Sequence, residues 1–166
     1  MFHTISEFLN MWASESESTL KVLRNLSDGS LAQRVTPTGR SLGFLAWHIT
    51  TSVSEMGKHA GLPVGVTGEK DPPPSSAAAI AATYEKAAKA FADAVLKNWK
   101  DTDLPGEIPM YGQKWTRAAT LGAVIAHQCH HRGQATVLMR QAGLAVPGVY
   151  GPAQEEWAAY GMPAQE

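Results

Sequence analysis

Three of the chain's six histidines fall within one short stretch, Ala126-His127-Gln128-Cys129-His130-His131-Arg132-Gly133-Gln134. On a helix, at about 100° per residue, His127 and His131 differ by about 40° in direction and about 6 Å along the axis. Both imidazoles then project from one face, which is the spacing of a two-ligand metal site. His130 points about 60° away from His127 and about 100° from His131, and Cys129 is turned farther still, so neither joins the pair. The same rotation brings Thr120, Val124, Gln134 and Leu138 beside the two histidines, which predicts that their face looks into the fold.

A third imidazole stands in Ala46-Trp47-His48-Ile49. Leu42, Leu45, Ala46, Ile49, Val53 and Met56 form an apolar stripe, and His48 lies about 100° off its centre, on a seam with Ser41, Ser52, Glu55 and His59. A seam of this composition fits a solvated flank, and it equally fits the border of a cavity; spacing leaves both open. In the second case His48 meets His127 and His131, and three neutral imidazoles with a free position make an open, catalysis-type metal centre. Glu55, seven residues beyond His48, is then the candidate base or substrate contact, against the alternative of a solvent-facing carboxylate. Gln134 either hydrogen-bonds within the site or caps local polar groups, and Arg132, turned away from His131, is expected in an ion pair elsewhere. His3 and His59 read as surface residues. Tyr111, Trp115 and Tyr150 come from Pro/Gly-rich stretches and either roof the pocket or anchor their loops to the core.

Four long helices must position these groups. The first opens at Thr4, with Glu7 completing a capping box, and its apolar residues from Ile5 to Leu26 recur at three- and four-residue steps until Asp28-Gly29. The second follows Pro37-Thr38-Gly39, with Ser41 as its cap, and closes at Gly61-Leu62-Pro63. Ser75 or Ser76 caps an alanine-rich third helix carrying Ile80, Tyr84, Phe91, Val95 and Trp99. A loop from Leu104 to Trp115 has room for an extended pair around Ile108 to Tyr111 and Lys114 to Arg117. The fourth helix runs from about Thr116 to Ala142 and stops at Gly143. Val146 to Pro152 is irregular, and Gln154 to Tyr160 has room for a further helical turn or two. The expectation is one all-α domain over residues 1–166, a four-helix bundle with a short irregular or helical C-terminal segment.

Composition narrows the function classes. The 166 residues are 44% apolar and 17% charged, with a formal net charge of -1, against a usual charged share of about 25%. Neither sign gathers into a block, so the electrostatic footprint of a nucleic-acid partner or an anionic membrane surface is missing. No stretch approaches the roughly 20 apolar residues of a membrane span, and Met1 to Asn10 has no basic region followed by an apolar run. The lone Cys129 excludes an internal disulfide and favours the cytoplasm.

The chain also resembles the DinB-like family of metal-dependent four-helix-bundle proteins. The resemblance rests on His127-x-x-x-His131-Arg132-Gly133-Gln134, on Val146-Pro147-Gly148-Val149-Tyr150-Gly151-Pro152 after it, and on Ala46-Trp47-His48-Ile49. With the order of the helices, it spans nearly the whole chain. It implies a homodimer with divalent-metal ligands at His48, His127 and His131. Members with an assigned reaction are S-transferases and isomerases that use a low-molecular-weight thiol, so the resemblance implies transfer of a small thiol to a small electrophile. Imidazole suits zinc, nickel, manganese and iron; zinc is the first choice in the cell, and nickel for a sample from a nickel column. The alternative is a non-catalytic metal-binding or stress-response module, also dimeric. Hydrolysis by a metal-activated water is a lesser option, and a haem site is unsuitable because residues one turn apart cannot take opposite axial positions.

Overall fold

The structure is a computed structural model and describes residues 2–68 and 70–164. Its four long helices are α1 (Ile5–Arg24), α2 (Leu42–His59), α3 (Ala77–Asn98) and α4 (Arg117–Gln141), and a hairpin of β1 (Glu107–Met110) and β2 (Gln113–Thr116) leads into α4. Each helix starts where a side-chain oxygen accepts one of the backbone N–H groups that the first turn leaves without a partner. Thr4, Ser41, Ser76 and Thr116 do this by accepting from Glu7, Phe44, Ala79 and Ala119. At Thr4 the box is complete, since the Glu7 carboxylate accepts in turn from the Thr4 N–H at 3.2 Å. Gly143, with φ of 72°, ends α4 in the left-handed region that a helix stop favours.

The apolar faces close into an all-α bundle. Both α1 and α2 pack against α3 and α4, so the four helices form a ring around one core. Phe8, Trp12 and Phe91 meet ring against ring between α1 and α3. The small residues of α3 allow this close approach, and the Trp12 indole N–H donates to the Ala88 carbonyl at 3.0 Å. Gly57 on α2 is equally constrained, because a Cβ there would run into Val64 and Phe91.

Two local expectations are revised. The first helix stops at Arg24 rather than Asp28-Gly29, and Asp28–Ala32 forms a separate 3₁₀ turn. Ser30 accounts for the break: its hydroxyl donates to the Ser27 carbonyl at 2.7 Å and accepts from the Ser27 N–H at 3.1 Å, a local bonding pattern that competes with helix. The extended pair lies about one residue earlier than expected, with Glu107 opposite Thr116 and Met110 opposite Gln113. Its two-residue loop places Tyr111 at φ 50° and Gly112 at φ 78°, the left-handed pair of a tight type I′ hairpin turn. Tyr150 joins a polar cluster between α1 and α4, with Cys129, Arg132 and Glu15 as its partners. The segment Gln154–Tyr160 is a 3₁₀ helix. No helix among the described residues is long and apolar enough to cross a membrane.

That polar cluster ties α4 to α1. Arg132 is buried, with its side chain 3% exposed, and donates to the Glu15 carboxylate at 2.8 Å, to the Glu15 carbonyl at 3.0 Å and to Thr19 Oγ1 at 3.1 Å. The Tyr150 hydroxyl donates to the same carboxylate at 2.8 Å and fastens the segment after α4. Burial alone would raise the Glu15 pKa, but the bonds from Arg132 and Tyr150 outweigh it and hold the carboxyl below its ordinary value. Removing one partner of a buried pair leaves the other charge uncompensated, so Glu15→Ala is expected to cost about 3 kcal/mol in denaturant unfolding. A depressed carboxyl pKa stabilises the fold fully above the ordinary value of 4.5 and loses that contribution as pH falls through the lower folded value. The wild type is therefore expected to lose stability more steeply than Glu15→Ala below about pH 4.5; parallel curves would contradict the assignment.

Candidate metal centre

His127 and His131, paired by their spacing, and His48, whose seam left solvent and cavity open, meet between α2 and α4. One nitrogen from each of His48, His127 and His131 lies within 4.8 Å of the others, and this is the one such metal-capable group among the described residues. The ring centroids stand 4.5 to 5.0 Å apart. His48 Nε2 and His127 Nε2 are 3.2 Å apart. Nitrogens bound about 2.05 Å from a tetrahedral ion lie about 3.3 Å from each other, so this pair already stands at the edge length of such a site. His130 is exposed and outside the group, as its rotation predicts, although its ring lies 4.7 Å from that of His131.

The surroundings suit neutral imidazoles. Burial is the main cause that lowers all three pKa values below 6.5; the His131 imidazole and the Arg40 charge add to it at His48, and the neighbouring imidazoles add to it at His127. His127 is driven farthest, to about 4. Gln134 settles the tautomer of His131: its Oε1 is an acceptor 2.8 Å from Nδ1, so Nδ1 carries the hydrogen and Nε2 keeps its lone pair. Metal-binding histidines are commonly oriented by such a partner. The donor set, the tautomer and the 3.2 Å separation together fit a divalent ion of the imidazole-accepting kind.

A cavity of about 1040 Å³ adjoins the group, with Phe44, Trp47, His48, Thr51, Glu55 and Pro72 in its wall. Of the three imidazoles only His48 reaches this wall, so the cavity approaches the centre from the α2 side. Trp47 helps to shape it, donating from its indole N–H to the Asp71 carbonyl at 2.8 Å and holding the Pro72-Pro73-Pro74 segment over α2. Glu55 also lines it, and the Tyr111 hydroxyl at the hairpin tip donates to Glu55 Oε1 at 3.1 Å. His59 is 4.0 Å from the same oxygen, so it stands beside the cavity's carboxylate. The seam on α2 thus divides: Ser52 is buried against α4, whereas Glu55 borders the cavity. Arg132 takes its ion pair with Glu15, and Cys129 points to that cluster rather than to the histidines.

Sequence spacing missed one residue that the site needs. Gln128 lies between the α4 histidines, is 1% exposed, and donates from its amide to the Ile49 carbonyl at 3.0 Å and to Ser52 Oγ at 3.3 Å. The available signal is a glutamine in line with Leu121, Val124 and Ala135 on the apolar face of α4.

A helical bundle with histidines from its second and fourth helices converging beside a cavity defines a class of candidate metal-binding bundle proteins. The DinB family matches residues 1–166, and the chain belongs to that family. YrdA of Bacillus subtilis (strain 168), described as an uncharacterized protein, is 43% identical over 164 residues, covering 99% of this chain and 98% of that protein. The crystal structure of a DinB-like protein from Bacillus cereus ATCC 10987 is 45% identical with a TM-score of 0.84, covering 90% of this chain and all of that one. A second DinB-like protein, YjoA from Bacillus subtilis, shares the fold at 21% identity and a TM-score of 0.67, over 89% of this chain and 99% of its own.

Burial makes a direct prediction for the metal-free protein. In chelator-treated samples, the His127 ring signals are expected to titrate near pH 4 by NMR; a midpoint near 6.5 would contradict the packing described. Because the unfolded chain takes up protons at these histidines before the folded one does, stability is expected to fall as pH drops from about 6.5 toward 4.

Proposed function

We propose that His48, His127 and His131 bind one divalent metal ion, and that the chain uses the open position as a metal-dependent thiol S-transferase on a small electrophile. The convergence of the three imidazoles carries the metal reading. The thiol reading is supported by the DinB-like resemblance and by a cavity of sufficient size beside His48. Zinc is the cellular ion in this reading, with nickel as its replacement during purification. In the same reading residues 1–166 act as one domain, and the working species is a cytoplasmic homodimer.

A bound divalent ion supplies Lewis acidity that favours a thiolate over a thiol near neutral pH. The remaining work falls to the chain's own side chains. Phe44, Trp47 and the proline segment give the electrophile apolar walls. Glu55, oriented by the Tyr111 hydroxyl, takes the thiol proton. The carbon–sulfur bond forms as the leaving group departs with its electron pair, so the charge is balanced by the proton on Glu55.

Protein prepared without a metal-affinity tag and freed of loose ions is expected to retain about one divalent ion per chain, with retention falling only as pH drops below 6.5 toward the lowered values of the three imidazoles. His131→Ala is expected to lose most of that ion, and retention at the wild-type level would contradict the ligand assignment. Against a panel of small thiols and electrophiles, Glu55→Gln is expected to reduce turnover about 100-fold while leaving metal content unchanged. A fully loaded wild type with no turnover across the panel would favour the non-catalytic metal-binding module instead.

A further inference from the structure

A separate cavity of about 350 Å³ lies between the segment leading into α2 and the C-terminal half of α4. It shares no lining residue with the larger cavity beside His48. Leu45 and Leu138, both buried, and the exposed Val35 and Val137 give it apolar walls. Arg40 is the one charged residue that lines it, and Gln134 contributes the one side-chain amide.

The polar groups at this cavity are donors without a matching acceptor. Arg40 has no carboxylate within ion-pair distance among the described residues, unlike Arg24, Arg132 and Arg140, which pair with Glu85, Glu15 and Glu155. Its guanidinium instead lies 4.9 Å from the centre of the Phe44 ring, on whose plane the His48 ring stacks. Gln134 has its Oε1 taken by His131 Nδ1–H, which leaves the amide N–H₂ as the end available to a ligand. The other lining side chains are aliphatic or glycine and offer no polar group. A guanidinium fork matches the two oxygens of a carboxylate, and the amide can supply a further hydrogen bond. The aliphatic walls exclude a fully polar anion as the best fit, since they would gain nothing from it.

We propose that this cavity binds a small aliphatic monocarboxylate, with its carboxylate on Arg40 and Gln134 and its alkyl body against Leu45, Val137 and Leu138. The occupant then stands one side chain from His131, through Gln134. The inference goes beyond the metal reading, because the groups that recognise the carboxylate are present with or without an ion.

The test is a titration of the full chain with hexanoate, followed by calorimetry and by amide chemical shifts, on both chelator-treated and metal-loaded protein. Hexan-1-ol, hexylamine and inorganic phosphate serve as controls. Saturable hexanoate binding is expected in both samples, with shifts at Arg40, Gln134 and Val137 and with each control about tenfold weaker or more. Arg40→Gln is expected to weaken hexanoate about tenfold. Val137→Trp, at an exposed position that does not load the core, is expected to fill the cavity and remove binding. Equal binding of hexan-1-ol or phosphate, wild-type affinity in Arg40→Gln, or no saturation in the low-millimolar range would overturn the proposal. Binding confined to the metal-loaded sample would assign the carboxylate to the ion and overturn it equally. Loss of the ion in His127→Ala, which leaves the His131–Gln134 bond in place, with hexanoate binding preserved separates the fate of this proposal from that of the metal reading.

Discussion

The contact on which the site depends is the hydrogen bond from the Gln128 amide to the Ile49 carbonyl, 3.0 Å long and sealed between α2 and α4. Gln128 is the residue after His127, and Ile49 is the residue after His48. Pinning these two positions therefore sets the height and rotation at which the α2 imidazole faces the α4 pair. Ser52 reinforces the setting, since its hydroxyl donates to the same Ile49 carbonyl at 2.9 Å and accepts from Gln128. A slip of one turn, about 5.4 Å, would separate His48 from its partners by more than the whole width of the group and would leave a buried amide unpaired.

With that register set, the rest of the bundle acts as support. The opposite face of α4 is tied down by Arg132 and Glu15, so His127 and His131 project from a helix held on both sides. Burying three imidazoles together disfavours their protonated forms, and the pKa depression at His127 is the electrostatic expression of that constraint. The same condition prepares lone pairs for a cation. The two cavities then reach the centre through different residues, the larger through His48 and the smaller through Gln134 next to His131.

Much of this was legible in the sequence because it depends on local geometry. Thr4 with Glu7, Ser41 and Thr116 are capping signals that act within one turn, and helical rotation separates His127 and His131 from His130 and Cys129. His48 was harder to place: its position at the edge of an apolar stripe is compatible with solvent or cavity, and only packing of α2 on α4 decides between them. What stayed hidden depends on contacts between residues far apart in the chain. Nothing near Tyr150 shows that its hydroxyl ends on Glu15, and nothing near Arg40 shows that it lacks an acidic neighbour. The Ser27–Ser30 break was visible only as two serines, whose hydroxyls satisfy helix caps and turns equally well.

Crystals of the metal-loaded protein, measured at the ion's absorption edge, test the shared ligation most directly. The expected result is one anomalous peak between α2 and α4, with nitrogens of His48, His127 and His131 each about 2.0–2.1 Å from it if the ion is zinc. A peak bound elsewhere, or one that engages His127 and His131 while His48 stays turned away, would contradict the three-histidine centre.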